Sequence, residues 1–155
     1  MIVPPRSPPL TQRLPLALHP LLHTSAAALF FHGGGEAERA IEWAERGLRL
    51  SPFDPWAFAA FGSVMLGHFH RSRYEEAAAA AYKAVQANPA HSINYVLLAA
   101  ALVKIGRIEE AKTAAARVME LHPGFRYTRQ FSGVDCAAPL AASLGDALRA
   151  TGLPE

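Results

Sequence analysis

The sequence has a single cysteine, Cys136, in 155 residues. It cannot close an internal disulfide, which argues against a disulfide-stapled secreted scaffold and suits a reducing, cytoplasmic setting. Charge is sparse. Asp, Glu, Lys and Arg make up 18% of the chain, the net charge is +2, and no long run of lysine and arginine occurs. That balance argues against nucleic acid and against an anionic membrane surface as partners. No stretch reaches the roughly 18 uninterrupted apolar residues of a membrane-spanning helix.

Catalytic signatures are missing as well. There is no HExxH, no paired CxxC and no carboxylate cluster. His68 and His70 are two apart, so on a helix their side chains diverge. His19 and His23 are four apart, but Pro20 disturbs any helix that would join them. Gly33-Gly34-Gly35 has neither the lysine–serine/threonine ending of a phosphate loop nor a strand before it, so it reads as a turn. No serine sits in a nucleophile motif, and Cys136 has no histidine nearby in sequence. The expectation is a non-enzyme with no catalytic residue, no metal site and no cofactor.

Half of the chain is hydrophobic, with alanine supplying much of it. The twelve prolines are unevenly spread, six of them falling at Pro4, Pro5, Pro8, Pro9, Pro15 and Pro20. Residues 1–20 therefore read as a Pro-rich disordered tail. A signal peptide, with Arg6 and Arg13 before an apolar Leu14–Phe31, is the weaker reading, because His19, Pro20, His23 and Thr24 interrupt that core.

Beyond that tail the sequence repeats. Ile108, Ala111, Ala115, Val118 and Leu121 fall at steps of 3, 4, 3 and 3, one face of a helix that Pro123 stops. Pro89 lies 34 residues before Pro123, and Tyr74, Ala77, Ala81 and Ala84 precede it at the same offsets. Ala40, Ala44 and Gly47 keep matching offsets before Pro52. A helix–turn–helix unit of this length, with small residues at fixed positions and a terminal proline, resembles the tetratricopeptide repeat (TPR). In the last copy Tyr95, Leu98, Ala99, Leu102, Ala111, Ala115 and Pro123 occupy the motif positions, with Ala99 in place of its glycine and Ala115 in place of its phenylalanine.

The expected fold is all-α: a TPR-like right-handed superhelix of antiparallel helix pairs with a C-terminal capping helix. The repeats are placed at 21–53, 54–90 and 91–125, and the capping segment at 126–155, where Leu140, Leu144, Ala147 and Leu148 have helical spacing. Leu22–His32 is the candidate for the opening helix of the first copy. The middle copy is irregular, since Pro52 and Pro89 are 37 residues apart. With Asp54 as N-cap and Pro55 as first helical residue, the extra residues are assigned to a first helix one turn longer than standard. Two registers for that helix stay open, one with Phe58, Phe61, Gly62 and Met65 on the motif and one with Phe61, Val64, Met65 and His68.

The resemblance implies a concave groove lined by the first helices of successive pairs. Carried over by motif position, it comprises Ile93, Val96, Ala100, Val103 and Lys104, with Ala59 and Leu66 in either register and Phe69 and His70 only in the second. This groove is mostly apolar, and it lacks the lysine and asparagine set that chaperone-binding repeats use to clamp a terminal carboxylate. The implied function is a protein–protein interaction module that takes a peptide or amphipathic helix. The alternative is that these residues pack on the chain's own tail or on a second copy, as in a homodimer. A narrower resemblance covers residues 36–155. RLSPFDPWAFAAFG, GRIEEAKTAAARVMELHPGF and LRATGLPE are similar to the C-terminal repeats of bacterial class III adenylate/guanylate cyclases and winged-helix activators. It implies the detached regulatory tail of a signalling protein, or an in-cis regulator of a cyclase.

Overall fold

A computed structural model describes residues 37–130 and 138–155. The expectations for the Pro-rich tail, the Leu22–His32 helix, the glycine turn and Cys136 lie outside these residues. Among the described residues there are seven helices and no strand: α1 (Ala37–Leu50), α2 (Ala57–His70), α3 (Tyr74–Ala87), α4 (Ser92–Lys104), α5 (Ile108–Leu121), α6 (Tyr127–Gln130) and α7 (Ala138–Arg149). Each helix from α1 to α5 packs on the next, and α2 also touches α4. The result is the TPR-like all-helical superhelix that the repeat pattern calls for.

The core is an alanine stripe flanked by larger residues. Ala77, Ala81 and Ala84 of α3 and Ala111, Ala115 and Val118 of α5 are buried. All but Ala84 belong to one continuous cluster with Met65, Phe69, Leu98 and Leu102. Small residues at these offsets let helix axes close toward the lower end of the usual 8–10 Å. At Gly67 the approach is tightest, for an added Cβ would lie 2.5 Å from Ile41 Cγ1 of α1. Acidic residues open the second helices, Glu38 in α1, Glu75 and Glu76 in α3 and Glu109 and Glu110 in α5, where they complement the helix dipole.

The 34-residue repeat is also written in the turns. Gly106 closes the α4–α5 turn at φ +80°, and Ser72, 34 residues earlier, closes the α2–α3 turn at φ +57°. The second-to-first turns are tied by side chains. Asn88 Oδ1 accepts the Ala90 N–H at 3.2 Å, and Asp54 Oδ1 accepts the Trp56 N–H at 2.8 Å. Buried Asn94 adds a tie across its own turn, donating to the carbonyls of Ala84 and Asn88 at 3.0 Å each.

The middle copy corrects two expectations. Helix α2 begins at Ala57 rather than Pro55, and Asp54 does not cap it. The Asp54 carboxylate instead closes a local turn onto Trp56, two residues on, as short polar side chains do beside proline. Nor is α2 a turn longer than its counterpart, having 14 residues against 13 in α4. The surplus lies between the helices, where two turns follow one another, closed by Asp54 N–H to the Ser51 carbonyl at 3.2 Å and by Ala57 N–H to the Asp54 carbonyl at 3.0 Å, against the one turn Asn88–His91 between α3 and α4. Neither Pro52 nor Pro55 has an N–H to give a helical ladder, so the chain turns there instead of continuing a helix.

After Pro123 the short α6 leads to α7, which packs on α4 and α6 with no comparable packing on α5. Leu140, Leu144 and Leu148 are fully buried in that contact layer. Tyr127 anchors the chain's last residues: its backbone N–H donates to the Pro154 carbonyl at 3.2 Å, and its hydroxyl donates to Glu155 Oε1 at 2.6 Å. Arg149 donates to the same oxygen at 3.0 Å.

Candidate functional site

Helices α2 and α4, the two that carry the residues expected to line a groove, lie side by side. They meet at Gly62, where an added Cβ would stand 3.5 Å from Leu97 Cδ1. The nine residues carried over to the groove divide by exposure. Leu66, Phe69, Val96 and Ala100 are buried, the last two with no accessible surface. Ala59, His70, Ile93, Val103 and Lys104 are half-buried. The C-terminal ends of α2 and α4 gather several of them at one place. The Phe69 ring meets Tyr74 edge-on at 5.3 Å between centroids, and the Lys104 ammonium sits 5.6 Å from the Tyr74 ring centre. Lys104 and His70 are thus the polar end of a mostly apolar strip. Helix α4 is also the helix on which α7 packs.

Two clefts on the other side of the α2–α4 row escaped sequence reasoning. One, of about 470 Å³, is walled by α1, α2 and α3 and includes Phe61, Val64, His68, Glu76 and Lys83. The other, of about 430 Å³, is walled by α3, α4 and α5 and includes Tyr95, Leu98, Leu102, Glu110 and Arg117. Each of those five residues in the first cleft is 34 positions before its counterpart in the second. The clefts are therefore one feature of the repeat, present twice. This spacing also places α2 in the second of the two registers. The signal was in the sequence as small residues, Ala79 and Ala80 against Thr113 and Ala114, at positions where a larger side chain would fill the space.

The two clefts differ in chemistry. In the first, Glu45, Glu76, Arg49 and Lys83 surround His68. Burial holds the His68 imidazole below its ordinary range, the Arg73 cation adds to this, and its Nδ1 has no hydrogen-bond partner. In the second, valine, leucine and tyrosine dominate. At its rim the Tyr82 hydroxyl donates to Glu110 Oε2 at 3.3 Å, and Arg107 Nε donates to Glu110 Oε1 at 2.6 Å. That guanidinium holds the Glu110 carboxyl below the usual range, while burial pushes the Tyr82 phenol up.

No three His, Cys, Asp or Glu side chains converge on a metal-sized site among the described residues. None of their helices is long and apolar enough to cross a membrane.

Comparison with known proteins places this geometry. The tetratricopeptide repeat family model matches residues 68–129. The second TPR domain of human RPAP3, solved in complex with the HSP70 peptide SGPTIEEVD, is similar in structure, with a TM-score of 0.61 and 19% identity over 84% of this chain and 96% of that one. The first TPR of Spaghetti (RPAP3), bound to the HSP90 peptide SRMEEVD, has a TM-score of 0.61 and 21% identity over 84% and 93%. The first TPR domain of human RPAP3 has a TM-score of 0.62 and 20% identity over 85% and 96%. No curated protein sequence matches this chain.

Proposed function

We propose that this TPR-like chain is a non-catalytic protein-interaction module that takes an apolar peptide or amphipathic helix along the strip between α2 and α4. The observation that carries the reading is the strip itself: Ala59, Ile93 and Val103 half-exposed over a buried floor of Leu66 and Phe69, with cations only at the Lys104 end. An apolar helix face would fit such a surface by the helix-in-groove mode. Two structural neighbours hold peptides, which supports a peptide as ligand. Both of those peptides end in an acidic Glu-Val-Asp. A groove with so few cations favours a less acidic ligand.

The test is fluorescence anisotropy with two labelled probes, SRMEEVD and an amphipathic Leu/Ala-rich helical peptide. The helical probe should bind and SRMEEVD should not. Val103→Glu should weaken the helical probe at least tenfold with helicity unchanged. Saturable binding of SRMEEVD would replace the apolar groove by a charged clamp. Unaltered binding by Val103→Glu would remove the groove from the account. The finer reading, a regulatory tail of a cyclase- or activator-type protein, rests on the resemblance of residues 36–155 alone.

A further inference from the structure

The turn Ser51–Asp54 recurs in form at Asn88–His91 and His122–Phe125, each closed by an N–H to the carbonyl three residues back, but only here is its third residue large, Phe53. At 96% relative exposure, Phe53 makes almost no contact with the rest of the chain. Counted from the repeat's proline, its equivalents are Ala90 and Gly124, so the fold needs no side chain at this point. The turn is nevertheless well built. Asp54 N–H bonds to the Ser51 carbonyl at 3.2 Å, Ala57 N–H to the Asp54 carbonyl at 3.0 Å, and Trp56 N–H to the Asp54 carboxylate at 2.8 Å. Pro52 and Pro55 fix two more backbone angles. A phenyl ring is thus held in water on a stiff support, with Trp56, itself 56% exposed, stacked on Phe58 beside it. Presenting an aromatic side chain pre-ordered keeps the entropy cost of docking low.

The same chain carries a receptor of matching character. The α3–α4–α5 cleft is lined by Tyr82, Val85, Tyr95, Leu98 and Leu102, and its volume of about 430 Å³ admits a phenyl ring with its neighbouring proline. Its repeat-equivalent at α1–α2–α3 is crowded with Glu45, Glu76, Lys83 and His68, a poor host for an apolar ring. We propose that Phe53 of one copy seats in the α3–α4–α5 cleft of a second copy. Knob and cleft lie on different parts of the chain, so the contact is heterologous, and one copy can give and receive at once. The occupant is a second copy because this chain supplies both halves of the fit; membranes are the competing destination for an exposed Phe-Trp pair.

Light scattering after size exclusion tests this over a tenfold concentration range. The wild-type chain should show a mass rising above 16.7 kDa with concentration. Phe53→Asp should stay at one chain mass throughout. So should Thr113→Trp, which fills the cleft from its exposed rim; Arg117→Trp serves if that variant fails to fold by circular dichroism. Mixed one to one, the knob variant and the cleft variant should form a species of two chains, because each retains the half the other has lost. A wild-type chain monomeric at every concentration overturns the proposal. So does Phe53→Asp assembling like wild type, or a mixture that stays monomeric. Flotation of a monomeric wild-type chain with phosphatidylserine vesicles, lost in Phe53→Asp, would assign the knob to membranes instead.

Discussion

At the scale of the residue, the 34-residue repeat fixes backbone geometry more strictly than it fixes side chains. Gly106 and Ser72 do the same job, a left-handed residue that ends a first helix and starts a second. Glycine adopts that region freely, whereas a residue with a Cβ pays about 1–2 kcal/mol there. The Ser72 hydroxyl offers little in return, receiving only a long 3.4 Å contact from Tyr74 at the surface. Ser72→Gly should therefore stabilise the chain by about 0.5–1 kcal/mol, the relief of strain less the extra freedom glycine has when unfolded. Urea denaturation with an unchanged m-value and a higher midpoint is the expected result. A lower midpoint would mean that the serine contributes something besides its backbone angle. The turn at Gly106 was legible in the sequence because glycine announces it. Its twin at Ser72 was not, since serine is at home in many conformations.

At the scale of the element, small residues decide how close helices come. Gly67 is the extreme case. A methyl group there would stand 2.5 Å from Ile41 Cγ1, 2.9 Å from Ile41 Cδ1 and 3.1 Å from the Ala37 carbonyl oxygen. Ile41 is itself buried, so it has little room to withdraw. Better helix propensity favours alanine by about 0.8–1 kcal/mol, but overpacking at such distances costs about 1–3 kcal/mol. Gly67→Ala should thus lower thermal stability in spite of the gain in propensity. Gly62→Ala is the control: its Cβ would find Leu97 at an ordinary 3.5 Å, and it should be neutral or stabilising. If both variants melt alike, the α1–α2 approach is looser than described. The same scale explains the error over α2. Periodicity locates a helix face well, but three surplus residues leave the face almost unchanged whether they extend the helix or its turn. Only the bonding of Asp54 distinguishes the two.

For the whole molecule, ionisable groups act together to make acid destabilising. Burial holds His68 and His91 below the ordinary histidine value of about 6.5. As pH falls through about 6.5 the unfolded chain takes up protons that the folded chain refuses, so stability present above that pH begins to fall. The Tyr127 hydroxyl and the Arg149 guanidinium hold Glu155 below the ordinary value of 4.5, Arg107 does so for Glu110, and Arg73 for Glu38. Their contribution is complete above pH 4.5 and disappears as pH falls through their lower folded values. Tm measured from pH 7.5 downward should therefore decline in two stages, near pH 6 and again below about 4.5. His68→Gln should flatten the first stage, and Glu155→Gln the second. A Tm independent of pH between 7 and 5 would show that the histidines are as solvated in the folded chain as in the unfolded one.

The sequence by itself determined the architecture. A spacing of 34 residues, alanines at fixed offsets and prolines at the ends of second helices leave few options but stacked helix pairs, because each pair can bury its apolar stripe only on its neighbours. It also set the order of elements through α7, whose leucines repeat at helical spacing. What it could not decide was which members of an apolar stripe remain reachable. Val96 and Ile93 are both apolar residues at groove positions, yet Val96 is fully buried and Ile93 is not. That difference depends on how α4 sits against α2 and α7, a matter of three-dimensional packing between segments far apart in the chain. The outer clefts have the same origin. They are gaps between three helices, marked in the sequence only by small residues such as Ala80 and Ala114, which look the same as the alanines that let helices pack closely until the third helix is in place.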